Sequence, residues 1–296
     1  MTIPVQQLTS WSSYPSPRRS ASAHAAVKAA LLSSGRFANH VVELYVQGSY
    51  RNHVNTRRDS DVDIVAELTS VCEFDTNRLN PWSAAHFWRV IQRSDYGYQP
   101  FRGDVHAALT DRFPQSVIPH SKAIEVRGNG WRLKVDVLPA IRYRQVYAFD
   151  GTNVSSDDGI AFWTAEGRRI VNWPHQHFNN GVQKNEVTGG NFKPTVRMFK
   201  NARRVAAETG LMADGLAPSY FMQGLLWNVP DEIFIADRAK TYCDVVNWLV
   251  HNRYWEHQFR CQNGIEMLFG NSPEQWDLSS SFTAVDALVQ LWNEWN

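Results

Sequence analysis

The chain has 296 residues, a formal net charge of +1 and 20% charged residues. That length allows one large domain or two smaller ones, either with a sizeable core, and the balanced charge gives no global field to attract a long polyanion. Cys72, Cys243 and Cys261 are three cysteines at wide spacings, which excludes a disulfide framework and fits a reducing compartment.

In chain order, residues 1 to about 17 hold Ser and Pro without periodicity and read as a loosely ordered arm or a short helix packing through Trp11. Residues 18–32 predict a helix, with Ala23, Ala26, Val27, Ala30 and Leu31 at helical spacing and Gly35 closing it. No apolar core of signal-peptide type precedes it, and no later run reaches the ~20 apolar residues of a membrane span. The expected location is therefore the cytoplasm. A strand at 41–47, a Gly48-Ser49 turn into a short helix and a strand at 61–68 follow. Helices near 82–95 and 102–113 precede a hairpin of 123–126 and 133–137, joined by Arg127-Gly128-Asn129-Gly130. A strand at 142–148 ends the sheet.

The pattern then turns helical, at 174–185, 193–209, 219–228, 231–252 and 282–295. Sheet first and helices second predict an α+β chain of two lobes, 1–158 and 159–296, with the ligand in the cleft between them.

The chemistry concentrates in the first lobe. After the strand, Gln47-Gly48-Ser49 turns backbone N–H groups towards incoming phosphates. Asp61 and Asp63 lie two apart on the next strand, so both carboxylates share a face. Asp136 sits inside the apolar run Val135-Asp136-Val137. Aspartate is depleted in strand interiors, so three of them on two strands call for a reason. Hard oxygen donors beside a phosphate cradle suit Mg²⁺. Two such ions, with Mn²⁺ as a substitute, would stabilise attacking and leaving oxygens in an in-line displacement.

Gly-Ser, Asp-x-Asp and a distant Asp resemble the polymerase β-type nucleotidyltransferase superfamily. The resemblance narrows through Ser22-Ala23-His24-Ala25-Ala26-Val27, Gln47-Gly48-Ser49-Tyr50-Arg51-Asn52 and Asp59-Ser60-Asp61-Val62-Asp63-Ile64-Val65. Asn172-Trp173-Pro174-His175-Gln176-His177, Lys184-Asn185, Val196-Arg197-Met198-Phe199-Lys200-Asn201 and Pro218-Ser219-Tyr220-Phe221 extend it. Over roughly residues 20–235 the chain resembles the bacterial cGAS/DncV-like nucleotidyltransferases, which make cyclic di- or trinucleotide signals in CBASS anti-phage operons.

The resemblance implies a bilobal polymerase β-like core with a mixed sheet and a helical C-terminal lobe. Asp61, Asp63 and Asp136 would be catalytic metal ligands, and Gln47, Gly48, Ser49, Lys200, Ser219 and Tyr220 would bind nucleotide. Lys200 and Ser219 would meet the triphosphate, and Tyr220 would stack on the base. NTPs, ATP or GTP among them, would be substrates, and a separate effector would bind the product. A monomer is expected. Because nothing resembles the extended basic surface of the animal relatives, so is activity without DNA, or activation by an unknown phage cue. The ending Trp292-Asn293-Glu294-Trp295-Asn296 is unlike the tails that some relatives conjugate.

Other readings are weighed beside this one. A template-free transferase acting on RNA, protein or a small molecule shares the metal site, and a nucleotide sensor without catalysis would keep only the fold. For Lys200 and Arg197 the plain alternative is a solvated basic face, and for Tyr220 it is core packing. Arg51, Asn55, Arg57 and Arg58 divide between nucleotide contact and solvent. His24, His175 and His177 read as structural, because metal activation of a hydroxyl removes the need for a histidine base. Cys243, His251, His257 and Cys261 carry zinc-donor chemistry, but they lack a Cys-x-x-Cys pair and read as structural residues of helices.

Overall fold

A computed structural model describes residues 2–14, 18–56, 61–129, 134–272 and 274–295, with backbone only for 18–21. Arg57, Arg58, Asp59-Ser60 and the expected hairpin residues Gly130 to Leu133 lie outside the described residues. The chain forms two compact units, one of residues 16–50 and 60–174, the other of residues 1–15, 51–59 and 175–296.

Helix α1 (Val5–Ser12) belongs to the second unit, and the first begins with α2 (Arg18–Ser33). Its sheet contains β1 (Val42–Val46), β2 (Val62–Asp75), β3 (Val117–Pro119), β4 (Ile124–Val126), β5 (Val135–Phe149), β6 (Val154–Trp163) and β7 (Arg169–Asn172). The strand order is β1-β2-β5-β4-β3, with β6 pairing the later part of β5 and carrying β7 on its other edge. Only β2 and β5 run parallel, so the sheet is mixed. Both central strands are apolar without strict alternation: Val62, Ile64, Val65, Ala66 and Leu68 on β2, and Val135, Val137, Leu138, Ala140 and Ile141 on β5, are all buried. Strands read this way when both faces are covered. Short helix α3 (Gly48–Arg51) follows β1, and α4 (Pro81–Val90) and α5 (Tyr98–Arg112) lie between β2 and β3. Helix α2 packs on β2 and α5, and α5 packs on β5.

The segment 142–148, expected as a separate last strand, is the second half of β5, and the sheet continues into β6 and β7. The polar opening Val154-Ser155-Ser156-Asp157-Asp158 disguises β6. It pairs with β5 from Phe149↔Val154 to Ile141↔Ala161. The lobe boundary expected at 158 falls inside this strand, and the compact units divide at 174 instead.

The helical unit contains α1, α6 (Pro174–Val187, entering from the sheet unit), α7 (Phe192–Glu208), α8 (Ser219–Trp227), α9 (Arg238–His251) and α10 (Leu278–Asn293). The helix expected over 231–252 is broken. A 3-10 turn covers Asp231–Ile233, and Asp237 accepts from the Ala239 and Lys240 amides to start α9. A capping carboxylate offers those amides a partner that a continuous helix would deny them. Asp277 likewise caps α10 through the Ser280 amide, so that the helix begins at Leu278, four residues before the expected start at 282. Phe199 stacks on Tyr242 at 4.8 Å within the core. Trp11 of α1 is buried and meets Trp295 edge-on at 5.5 Å, so the N-terminal segment takes the ordered one of its two expected forms. No described helix is long and apolar enough to cross a membrane.

Candidate active site

The sheet unit builds its acidic edge from strand register. Asp63 of β2 lies opposite Asp136 of β5, which lies opposite Glu125 of β4. Directly opposed residues on neighbouring strands point to one face, so three carboxylates form a row across three strands. Asp61 precedes Asp63 by two and shares its face. Backbone pairing fixes this end of the sheet: the Gln47 amide donates to the Asp63 carbonyl at 2.9 Å, and the Val62 amide to the Lys134 carbonyl at 3.1 Å.

Gly48 then turns the chain from β1 into α3 with φ +69. Left-handed backbone favours glycine, and space demands it as well. A Cβ at Gly48 would overlap Asp63 Oδ2 and stand 3.3 Å from its Cγ. The turn and the Asp63 carboxylate therefore lie too close together for any Cβ to fit between them. Ser49 is half-buried, at the second position of α3.

The structure places a cation among these acids. Lys134 Nζ is 2.9 Å from Asp61 Oδ2 and 3.7 Å from both Asp136 Oδ2 and Glu125 Oε2. The Asp61 hydrogen bond holds the Lys134 ammonium above its ordinary pKa. Glu125 also meets His120 Nε2 at 3.0 Å, which holds its carboxyl below the usual range. Burial pushes Asp136 up, against the pull of Lys134. Its Oδ1 is buried without a hydrogen-bond partner, although Oδ2 faces the ammonium. Such an oxygen is costly unless a donor or cation meets it.

Among the described residues no three His, Cys, Asp or Glu groups converge tightly enough to ligate one ion as they are placed. The set nonetheless fits a hard divalent ion in donor chemistry. All donors are carboxylate oxygens, Asp63 and Asp136 are registered across adjacent strands, and one oxygen of Asp136 is unpartnered. Lys134 and Glu125 were not anticipated from sequence. The signal was available in Lys134-Val135-Asp136, whose period of two puts lysine beside the aspartate, and in the hairpin register.

The helical unit holds the other expected residues. Lys200 is 4% exposed, and its Nζ donates to the Val54 carbonyl at 3.0 Å. Arg197, one turn earlier on α7, donates through Nε to Ser12 O at 2.7 Å and through Nη1 to His53 O at 2.5 Å. Asn201 Nδ2 reaches the Trp11 carbonyl at 3.0 Å. This face of α7 is thus no solvated basic stripe. It fastens α1 and residues 53–54 to the helical core. Arg51 lies 4.7 Å from the Phe178 ring centroid and 3.3 Å from His175 Nδ1.

Ser219 opens α8, and Tyr220 follows it. Tyr220 as a residue is 42% exposed, and its ring stacks on His177 at 5.3 Å and 20°. Its hydroxyl end is enclosed, and burial beside Cys261 and Glu266 pushes the phenol well above its ordinary pKa. Burial also lowers His177 to about 4, so the imidazole is neutral. A neutral ring thus backs a tyrosine that is partly exposed. His24 Nε2 lies 3.3 Å from the Leu44 carbonyl, a structural contact. Cys261 is buried with Sγ donating to Met267 O, His257 meets Tyr254 O, and Cys243 is half-buried on α9.

Comparison with known proteins adds four findings. Residues 179–293 match the family model of the cGAS/DncV-like nucleotidyltransferase C-terminal helical domain. The chain is 39% identical to a cyclic UMP-AMP synthase of Rhodothermus marinus, covering 100% of this chain and 99% of that protein. It is 30% identical to the cyclic nucleotide synthase CdnE01 of Staphylococcus haemolyticus, with both chains fully covered. The solved structure of the R. marinus CdnE c-UMP-AMP synthase with Apcpp and Upnpp superposes with a TM-score of 0.90 at 36% identity, over 99% of this chain and 98% of that one.

Proposed function

Because the chain belongs to the cGAS/DncV-like nucleotidyltransferases, we propose that it joins two nucleoside triphosphates into a cyclic dinucleotide, using Asp61, Asp63 and Asp136 as its catalytic carboxylates. In each step a ribose hydroxyl oxygen bonds to the α-phosphorus of a second nucleotide. The α–β phosphoanhydride bond breaks, and pyrophosphate leaves with its electron pair. Divalent ions held by Asp61, Asp63 and Asp136, with Mg²⁺ the favoured species, would acidify that hydroxyl and neutralise charge on the leaving group. The hydroxyl proton passes to solvent water, and Asp136, with its unpartnered Oδ1, completes the ion-holding set for the attacking hydroxyl. Gly48 lets the backbone of the turn approach Asp63, and Ser49 and the α3 amides orient phosphate oxygens.

The helical unit contributes recognition. Tyr220 offers its exposed ring to a base, with His177 behind it. The Ser219 hydroxyl and the first-turn amides of α8 suit phosphate oxygens, and Lys200 supplies positive charge from the interior while holding Val54. The product named for the R. marinus relative makes UTP and ATP the substrate pair to test first. The product serves a separate effector in defence signalling, and the enzyme works as a monomer without DNA.

The observation that carries this reading is the Asp63–Asp136 register beside Gly48. Incubation of the purified protein with all four NTPs and Mg²⁺, then phosphatase treatment and mass spectrometry, tests it. A phosphatase-resistant cyclic dinucleotide is expected from the wild type and none from Asp61→Asn/Asp63→Asn. A linear or acceptor-linked product would overturn cyclisation.

A further inference from the structure

Across the acidic edge, Lys134 pairs with three carboxylates on three adjacent segments: Asp61 before β2, Asp136 on β5 and Glu125 on β4. Its ammonium sits at hydrogen-bond distance from Asp61 Oδ2. A divalent ion drawn to the same oxygen needs a separation of about 2.1 Å and brings twice the charge. At that spacing ion and ammonium repel strongly, so they compete for Asp61 and Asp136.

Glu125 differs from the other two acids. It lies beyond Asp136 in the row, two strands from Asp63, and the Oε2 that faces Lys134 also meets His120 Nε2. A lysine side chain anchored at residue 134, immediately before β5, reaches either way with small changes in its flexible stem.

We propose that Lys134 is a positioning residue that alternates between two carboxylate partners. It pairs with Asp61 and Asp136 when they carry no divalent ion, and withdraws to Glu125 when an ion binds. The exchange keeps the edge charge-compensated in both conditions. It also sets the threshold concentration at which the ion enters, through the competition with Lys134. Glu125 acts through Lys134 in this scheme, and it is not itself a ligand.

The inference rests on the proposed role of Asp61, Asp63 and Asp136 as metal carboxylates, and direct Mn²⁺ binding separates the two. Electron paramagnetic resonance titration of the full-length protein without nucleotide reads affinity independently of turnover. Loss of Mn²⁺ binding in Asp61→Asn/Asp63→Asn is the check on the metal site itself. Against that baseline, Lys134→Met is expected to tighten Mn²⁺ about fivefold, the scale of a partly exposed ion pair. Glu125→Gln is expected to weaken it severalfold, because Lys134 then has nowhere to withdraw. Lys134→Arg should stay near wild type, and Lys134→Gln replaces the Met variant if that protein does not fold.

The double variant decides the pathway. With Lys134→Met in place, Glu125→Gln should no longer matter. Unchanged or weaker Mn²⁺ binding in both Lys134→Met and Lys134→Gln overturns the proposal. So does a Glu125→Gln effect that persists in the double variant, since Glu125 would then be acting on the ion directly.

Discussion

Replacing Gly48 by alanine separates the two demands on this residue. The φ of +69 costs an L side chain roughly 1–2 kcal/mol. In a chain of this size that strain lowers Tm by a few degrees, at about 2–4 °C per kcal/mol. The second demand falls on the chemistry. The new Cβ would overlap Asp63 Oδ2 and stand 3.3 Å from Cγ and 3.6 Å from Cβ of that residue. Relief requires the Asp63 carboxylate to move by about half an ångström to one ångström, because the overlapping atom belongs to a strand side chain in the sheet. Misplacement of about 1 Å costs on the order of 100-fold in rate. Gly48→Ala should therefore remain folded, a few degrees less stable, with kcat for cyclic product reduced about 100-fold. Thermal unfolding and initial-rate assays on the same preparation measure both. Activity within about threefold of wild type, in a folded variant, would refute the claim that Gly48 exists to make room for Asp63.

Glu256 has 0% exposure, and burial raises its carboxyl to about 7 from 4.5. The folded state then holds a proton that the unfolded state releases, so stability falls as pH rises from about 4.5 to 7. Glu256→Gln should remove that slope and stabilise the protein at pH 8 by up to about 3 kcal/mol, measured by urea unfolding at pH 5 and pH 8; equal slopes in both proteins would count against it. Tyr220→Phe should leave the KM for nucleotide within about threefold, and Tyr220→Ala should raise it about 10- to 100-fold, the range of base stacking on an aromatic ring. Equal effects of the two would mean that the hydroxyl, not the ring, matters. Lys200→Met leaves the Val54 carbonyl without its donor and should destabilise the fold by about 1–3 kcal/mol in chemical denaturation. A loss of activity without any loss of stability would show that the ammonium serves substrate alone.

Much of the acidic edge was readable beforehand because it depends on local periodicity. Asp61 and Asp63 at a spacing of two, and Asp136 inside an apolar run, report face and burial directly. The glycine turn was legible too, although the overlap with Asp63 needs the two strands side by side. What escaped depends on pairing between distant segments. Glu125 joins the row only through the β4–β5 register, and Lys134 matters only because Asp61, 73 positions earlier, lies next to it across the parallel β2–β5 pair. The strands β6 and β7 were missed because a polar, aspartate-rich opening carries no apolar alternation. The face of α7 misled in another way. Arg197 and Lys200 look like solvent-facing cations on one turn, and only the tertiary structure shows backbone carbonyls from residues 12, 53 and 54 occupying them.

Those carbonyls also determine when the helical unit can be completed. Its three pieces leave the ribosome at the start, after the first strand and over the last 122 residues, 175 to 296. The buried face of α1, with Leu8 and Trp11, has no partner until α7, α9 and the chain end at Trp295 have been made. Contacts such as Arg197 to Ser12 span 185 positions, a separation that slows folding by its loop-closure cost. The sheet unit, contiguous but for one short excursion, is fully synthesised by residue 174 and can fold while translation continues. The helical unit that carries Tyr220 is thus completed after the sheet unit has been made. A fragment beginning at residue 175 would lack the two segments that α7 is built to hold.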